Sequence, residues 1–175
     1  MAILRVDDFK QKLKFGGARP NLFEVDVTFP GYSGGNTETT NFMCRAAQLP
    51  GSTVGVIPVP FRGRQVKVAG DRTFEPWTIT CFNDHDFVVR NGFEKWMDGI
   101  NQHQAGTGFI NPLIYATQMK VYQLNRVGAR IKEYTLVGCF PSLVAPIELS
   151  YDANDQIEEF QVTIEFDYWT SNTTS

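Results

Sequence analysis

Histidine and cysteine are scarce in this 175-residue chain, with two of the first and three of the second. Cys44, Cys81 and Cys139 are odd in number and show no CxxC spacing. That pattern excludes a disulfide scaffold and predicts reduced thiols in a reducing compartment. A metal centre needs three or four converging ligands, which the isolated His85 and His103 do not supply, so both are expected to be solvated. No apolar run approaches the roughly 20 residues of a membrane span, so no membrane anchor is expected. The opening Met-Ala-Ile-Leu-Arg-Val-Asp-Asp turns acidic too early for a signal peptide, and synthesis in the cytosol is expected. P-loop, dinucleotide-binding and HExxH patterns are missing, so no cofactor is expected. Lysine and arginine vanish after Lys132, where eight acids follow: Glu133, Glu148, Asp152, Asp155, Glu158, Glu159, Glu165 and Asp167.

What is present describes a globular chain. Apolar residues make up 42% and charged residues 20%, close to globular averages. A chain of this length buries roughly 70% of its unfolded surface and needs no staples. With no repeat, low-complexity tract or linker, residues 1–175 read as a single domain. The net charge of −3 hides an asymmetry: between Arg45 and Arg72, the cations Arg45, Arg62, Arg64, Lys67 and Arg72 face only Asp71. A basic surface and an acidic one on the same chain suit contact between copies. General nucleic-acid binding is disfavoured, because the total is acidic and no basic stripe carries interleaved aromatics.

Period two dominates. Phe23, Val25, Val27 and Phe29 alternate with Glu24, Asp26 and Thr28, and Phe160, Val162, Ile164, Phe166 and Tyr168 alternate with Glu159, Gln161, Thr163, Glu165 and Asp167. Both read as half-buried strands. Further strands are expected at Thr40–Ala47, Thr73–Phe82 (with Pro76 marking an edge or bulge), Ala116–Leu124, Ala129–Cys139 and Ile147–Tyr151. Turns at 125–128 and 152–155 predict two hairpins. One helix stands out: Val89, Phe93, Trp96, Met97 and Ile100 form an amphipathic stripe after Asn83 and Asp84, either of which suits an N-cap. Gly92 weakens it by about 1 kcal/mol relative to alanine. A short helix is expected near Asp7–Lys14. The fold class is mainly β (α+β), an antiparallel β-sandwich or barrel with one flanking α-helix.

Pro50–Gly70 reads as an extended loop with three prolines and four glycines, and Asn101–Pro112 as a second, polar one. Long loops inside compact domains are usually functional, and the first is apolar enough to imply a partner. Gly31-Tyr-Ser-Gly-Gly35 matches the G-x-S-x-G nucleophile elbow, but that device needs the serine on a strand-to-helix turn with a histidine in reach. The residues that follow read as a strand entrance, which argues against an esterase. Trp77, Trp96 and Trp169 are the platform a β-sandwich carbohydrate-binding module would use, although Trp96 lies on the apolar helix stripe.

Taken in order, Ala18-Arg-Pro-Asn-Leu-Phe23, Val66-Lys-Val-Ala-Gly-Asp-Arg-Thr-Phe74, Trp77-Thr-Ile-Thr80 with Asn83-Asp84, Glu159-Phe-Gln-Val-Thr163 and Asp167-Tyr-Trp169 resemble the tail tube protein of contractile-tailed bacteriophages, over roughly residues 5–169. The sequence departs from the family's usual form at Pro30–Thr39, at Asn101–Pro112 and in the short tail after Trp169. The resemblance implies strands that contribute to a shared inner barrel in a hexameric ring, rings that stack into a tube, and no enzymatic activity. It implies as partners further copies of the chain, tail sheath protein, baseplate and tail-terminator proteins, the tape measure protein and double-stranded DNA passing through the lumen. The location implied is the virion tail, with assembly in the host cytoplasm. On this reading Val54, Val56, Ile57, Val59, Phe61, Arg62, Arg64 and Lys67 are the expected inter-subunit or ring-stacking residues, and Glu148, Glu159, Glu165 and Asp167 the expected lumen lining. The inner tube of a type VI secretion or tailocin-like machine is the alternative in the same fold.

Overall fold

Alternating apolar side chains build one folded sheet around one core. A computed structural model describes residues 6–13 and 16–174. In chain order the elements are α1 (Val6–Lys12), β1 (Phe23–Val27), α2 (Thr37–Met43), β2 (Cys44–Ala47), β3 (Thr53–Phe61), β4 (Arg64–Thr73), β5 (Trp77–Phe82), α3 (Val88–Ile100), α4 (Pro112–Tyr115), β6 (Thr117–Leu124), β7 (Arg130–Val144), β8 (Glu159–Glu165) and β9 (Tyr168–Ser171).

The main sheet runs β1-β6-β7-β8-β5-β2, with β9 also pairing β7, and every pairing is antiparallel. The fifteen-residue β7 belongs to both halves. Its first part pairs β6 and β9, and its end, from Phe140 to Val144, pairs β8. One layer is therefore β1, β6, β9 and the start of β7; the other is the end of β7, β8, β5 and β2. Val25, Val27, Met119, Val121 and Leu136 from the first meet Trp77, Ile79, Phe160, Val162 and Ile164 from the second in one core cluster. The α3 stripe adds Val89, Phe93 and Trp96, all fully buried.

Several expectations need correction. Of the strand expected at Thr40–Ala47 only Cys44–Ala47 forms, and Thr37–Met43 is helix: the Asn36 side chain caps it by accepting from the Thr39 N–H, and local capping overrides β-propensity. The α3 helix begins at Val88 behind a left-handed Phe87, with no side-chain cap. Asn83 instead donates its amide to the Glu158 carboxylate, and its backbone N–H to the Glu158 carbonyl, tying the end of β5 to the start of β8. The segment 145–158 is irregular, so the Ile147–Tyr151 strand and its hairpin do not form. The last alternating run breaks after Glu165, because the Asp167 N–H bonds to Val137 and the chain steps from one layer to the other. Thr73 ends β4 and Trp77 begins β5, which lies between β8 and β2; Pro76 stands before this inner strand. The expected N-terminal helix is present as Val6–Lys12, and Lys14 lies outside the described residues.

Candidate functional site

The largest correction is also the most informative: Pro50–Gly70 is no loop. β3 and β4 pair from Thr53↔Thr73 to Phe61↔Arg64, with a bulge between Val54 and Val56, and form a two-stranded sheet of their own. Arg62 and Gly63 join them, both with positive φ (47° and 78°), the geometry of a two-residue type I′ hairpin turn. Every residue of β3 is exposed, and in β4 only Gly70 is partly covered. Cross-strand register sorts the side chains. Ile57 faces Val68, Val59 faces Val66, and Phe61 stands on the same side, making one face apolar. Val56, Pro58, Pro60, Gln65, Lys67 and Ala69 share the other. The structure thus places Val54, Val56, Ile57, Val59, Phe61, Arg62, Arg64 and Lys67 together on one projecting arm. Ile57 is 53% exposed and Phe61 62%, which is costly for a free monomer.

The arm is held at its root. The Trp77 indole N–H donates to the Gln48 carbonyl (2.6 Å), and that of Trp169 to the Gly51 carbonyl (3.1 Å). Where β4 returns, Phe74 packs against Phe166 and Trp169, and Trp169 against Tyr134. Sequence reasoning missed this clamp. Its signal lay in the tryptophan and phenylalanine residues that flank the arm in both sequence and space. The same contacts correct the carbohydrate-platform expectation: Trp77 and Trp96 are buried, and the Trp96 indole donates to the Tyr115 carbonyl.

A second surface is the outer face of the layer formed by β2, β5, β8 and the end of β7. Register pairs Thr78 with Thr163, Thr80 with Gln161 and Phe82 with Glu159. Arg45 ion-pairs with Glu159 and lies over the Phe82 ring. Ser142 Oγ lies 3.4 Å from Glu165 Oε1. Glu159 and Glu165 therefore share this otherwise uncharged polar strand with Gln161 and Thr163, whereas Glu148 is exposed on the segment 145–158 and Asp167 at the step from β8 to β9. That segment also exposes Leu149, Tyr151 and Ile157 beside Asp152 and Asp155.

The remaining motifs have structural explanations. The Ser33 hydroxyl is fully buried, donates to the Pro30 carbonyl and accepts from the Gly35 N–H; no histidine is among its partners. The helix that the elbow would need does follow, at Thr37, so the serine's partners, not the turn, refute the esterase geometry. A side chain on Gly35 would run into the Phe29 ring, so the second glycine of the motif is there to let that ring pack; a methyl group on Gly92 would stand 2.9 Å from the Gly35 Cα, so Gly92 lets α3 approach this turn. His103 Nδ1 lies 3.0 Å from Asp98 Oδ1, whose carboxyl is held below its ordinary value chiefly by that hydrogen bond, and His85 is exposed. Among the described residues no group of three or more His, Cys, Asp or Glu could hold a metal ion, and no helix is long and apolar enough to cross a membrane. Cys44 opposes Cys81 across β2 and β5, and the hydrogen bond between them lowers the Cys44 pKa while raising that of Cys81.

Comparison with known proteins gives the lineage. Residues 18–172 match the family model described as phage tail tube protein. The tail tube protein gp19 of Enterobacteria phage T4 is 36% identical over 167 residues, covering 94% of this chain and 98% of that protein. The tail tube protein of Serratia phage KSP90 is 27% identical over 165 residues, covering 92% and 93%. Among solved structures, a chain of the sheath-tube complex of an extracellular contractile injection system in its extended state superposes with a TM-score of 0.60 at 14% identity, covering 93% of this chain and 96% of that one. A chain of the anti-feeding prophage baseplate gives 0.63 at 11% identity, covering 88% and 94%. Those two likenesses show the fold; the sequence matches show the lineage, and the chain belongs to the phage tail tube protein family, a structural component of the tail.

Proposed function

We propose that this protein forms hexameric rings that stack into the inner tail tube, a non-catalytic conduit for DNA ejection. The observation that carries the reading is the arm: a two-stranded sheet is marginal alone in water, and this one exposes an apolar face and a basic tip. From Thr53 to Thr73 it carries Arg62, Arg64, Lys67 and Arg72 against Asp71, a balance of 4 − 1 = +3. The acidic, apolar segment 145–158 of another copy is its complement. A head-to-tail contact of this kind is heterologous and produces open filaments.

The four-stranded layer supplies the bore. Its free edges are β2 and residues 140–144 of β7, which pair only with β8 among the described residues. Joining those edges around six copies gives about 24 strands, a circumference of roughly 115 Å at ~4.8 Å spacing, and a diameter of about 37 Å before tilt widens it. A duplex roughly 20 Å across passes such an opening. The face turned inward presents threonine, glutamine, Glu165 and Glu159, and Arg45 on it is already paired with Glu159, so it does not grip phosphates as a basic wall would. Glu148 and Asp167 extend the same acidic character beyond the strands. Sheath protein outside, baseplate and terminator proteins at the ends, and tape measure protein and DNA within complete the partners. The assembled protein resides in the virion tail after assembly in the host cytoplasm.

Replacing residues 53–73 with two glycines is the direct test. The expected product is a soluble subunit that unfolds at the parent temperature and shows no tubes by negative-stain microscopy; normal tubes from it would refute the role of the arm. Changing Glu159 and Glu165 to lysine in tubes that still assemble is expected to slow DNA ejection, and an unchanged rate would remove both residues from the lumen.

A further inference from the structure

The two edges of the arm are not equivalent. Proline has no N–H and cannot donate to a ladder. Pro58 opposes Lys67 and Pro60 opposes Gln65, so these must be the pairs whose backbone groups point away from the partner strand. In the same register Val56 opposes Ala69. The outward positions of β3 are thus Val56, Pro58 and Pro60, and those of β4 are Gln65, Lys67 and Ala69. Two of the three outward donors on β3 are missing, whereas β4 keeps all three. Prolines on an exposed strand are a known means of blocking edge-to-edge pairing, and here they block one edge only.

We propose that β4 is the pairing edge of the arm: in the tube, the outward N–H and C=O groups of Gln65, Lys67 and Ala69 bond to the backbone of a second copy, while Pro58 and Pro60 close the β3 side. The proposal rests on the tube reading and adds the direction of contact to it. A second copy is the occupant because one chain carries both halves of the charge match. The arm has its excess of cations, and no lysine or arginine follows Lys132. The side chains of Gln65, Lys67 and Ala69 stand on the mixed face, so an added strand brings Lys67 beside acidic residues of the neighbour while the apolar face of Ile57, Val59, Phe61, Val66 and Val68 packs separately. Backbone pairing gives affinity and the two faces give register. An arm free to pair on both edges would allow sideways growth. One blocked edge leaves a single polarity of addition, as an unbranched tube requires.

Amide hydrogen exchange on the full chain, read in free subunits and in sedimented tubes, tests this. The expected result is at least tenfold slower exchange at Gln65, Lys67 and Ala69 in tubes than in subunits. Equal rates in the two states would overturn the proposal while leaving the tube reading intact; a parent protein that never forms tubes would instead defeat that reading. The variants Gln65→Pro and Lys67→Pro remove one outward donor each and are expected to lower tube yield at least tenfold, with Val66 and Val68 amides showing that the hairpin still forms. Gln65→Ala and Lys67→Ala keep the donors and are expected to retain most of the yield. Proline variants that polymerise like the parent would overturn the proposal. Pro58→Val/Pro60→Val restores the β3 donors and is expected to give laterally associated material in place of single tubes; unbranched tubes at the parent yield would overturn the blocking role of the prolines.

Discussion

The body and the arm use the same residues in opposite surroundings. β5 alternates buried and half-buried positions, with Trp77, Ile79 and Cys81 in the core, while β3 exposes all nine of its residues although it is no less apolar. Valine and isoleucine favour both strands, because a pleated surface suits branched side chains. They do not decide where the opposing surface comes from. In the body it comes from the other layer and α3. In the arm the described residues supply none, and only the root is held, by Trp77, Trp169 and Phe74; on the proposed tube reading the rest is covered by another copy. The sharpest test is a pair of truncations. Phe93→Ala empties a fully buried site between Phe29 and Trp96 and is expected to cost about 3–5 kcal/mol of subunit stability in denaturant melts. Phe61→Ala is expected to change that stability by less than about 0.5 kcal/mol, yet to reduce the tube mass recovered by sedimentation. Equal destabilisation of the free subunit by both would end the distinction.

This contrast explains which parts of the molecule were legible in sequence. The buried stripe of α3 and the alternation of β1 and β8 could be read directly, since one covered face imposes a period. The arm was singled out as a contact element and misread as a loop: Ile57, Val59 and Phe61 do alternate, but with prolines, which argue against an ordinary strand. Their spacing of two was the overlooked clue, because prolines at alternate positions all fall on one backbone edge. Threonine-rich α2 was misread because a single Asn36 cap outweighs weak propensities over seven residues. The acids of the last strands were visible, but their division between a strand face (Glu159, Glu165), an irregular segment (Glu148) and a layer step (Asp167) depends on where β8 stops, and a long-range bond from Asp167 to Val137 sets that point.

Two smaller substitutions probe a seam within the body and the root of the arm. Gly92→Ala gains about 1 kcal/mol of helix propensity, but the new methyl group would press on the backbone of Gly35 at 2.9 Å, and overpacking of this kind costs about 1–3 kcal/mol. A net loss in thermal stability is expected, and a gain would show that the packing of α3 on the turn before α2 yields readily. Trp169→Phe keeps the ring contacts with Phe74 and Tyr134 and removes the donor to Gly51. About 1 kcal/mol of stability should go with it, together with faster amide exchange near the base of the arm and a fall in tube yield larger than the stability loss alone would give. An unchanged yield would mean that the arm needs no fixed root.

Alkaline pH separates the regions without mutation. Burial pushes the Cys139 thiol up to about 12, from an ordinary value near 9, whereas the arm contains no cysteine. The sign follows from proton binding: above pH 9 the unfolded chain releases this proton and the folded chain keeps it. Its contribution is therefore fully present below pH 9 and declines up to pH 12, by at most about 1.4 kcal/mol per unit from this one group. Subunit stability should fall over that window, and Cys139→Ala should reduce the slope, with the raised Cys81 thiol keeping part of it, while lowering stability at pH 7 through the small cavity it leaves. Because the thiol is buried in the body, the same slope is expected in the subunit lacking residues 53–73. A slope that disappeared with the arm would mean that the two regions unfold as one.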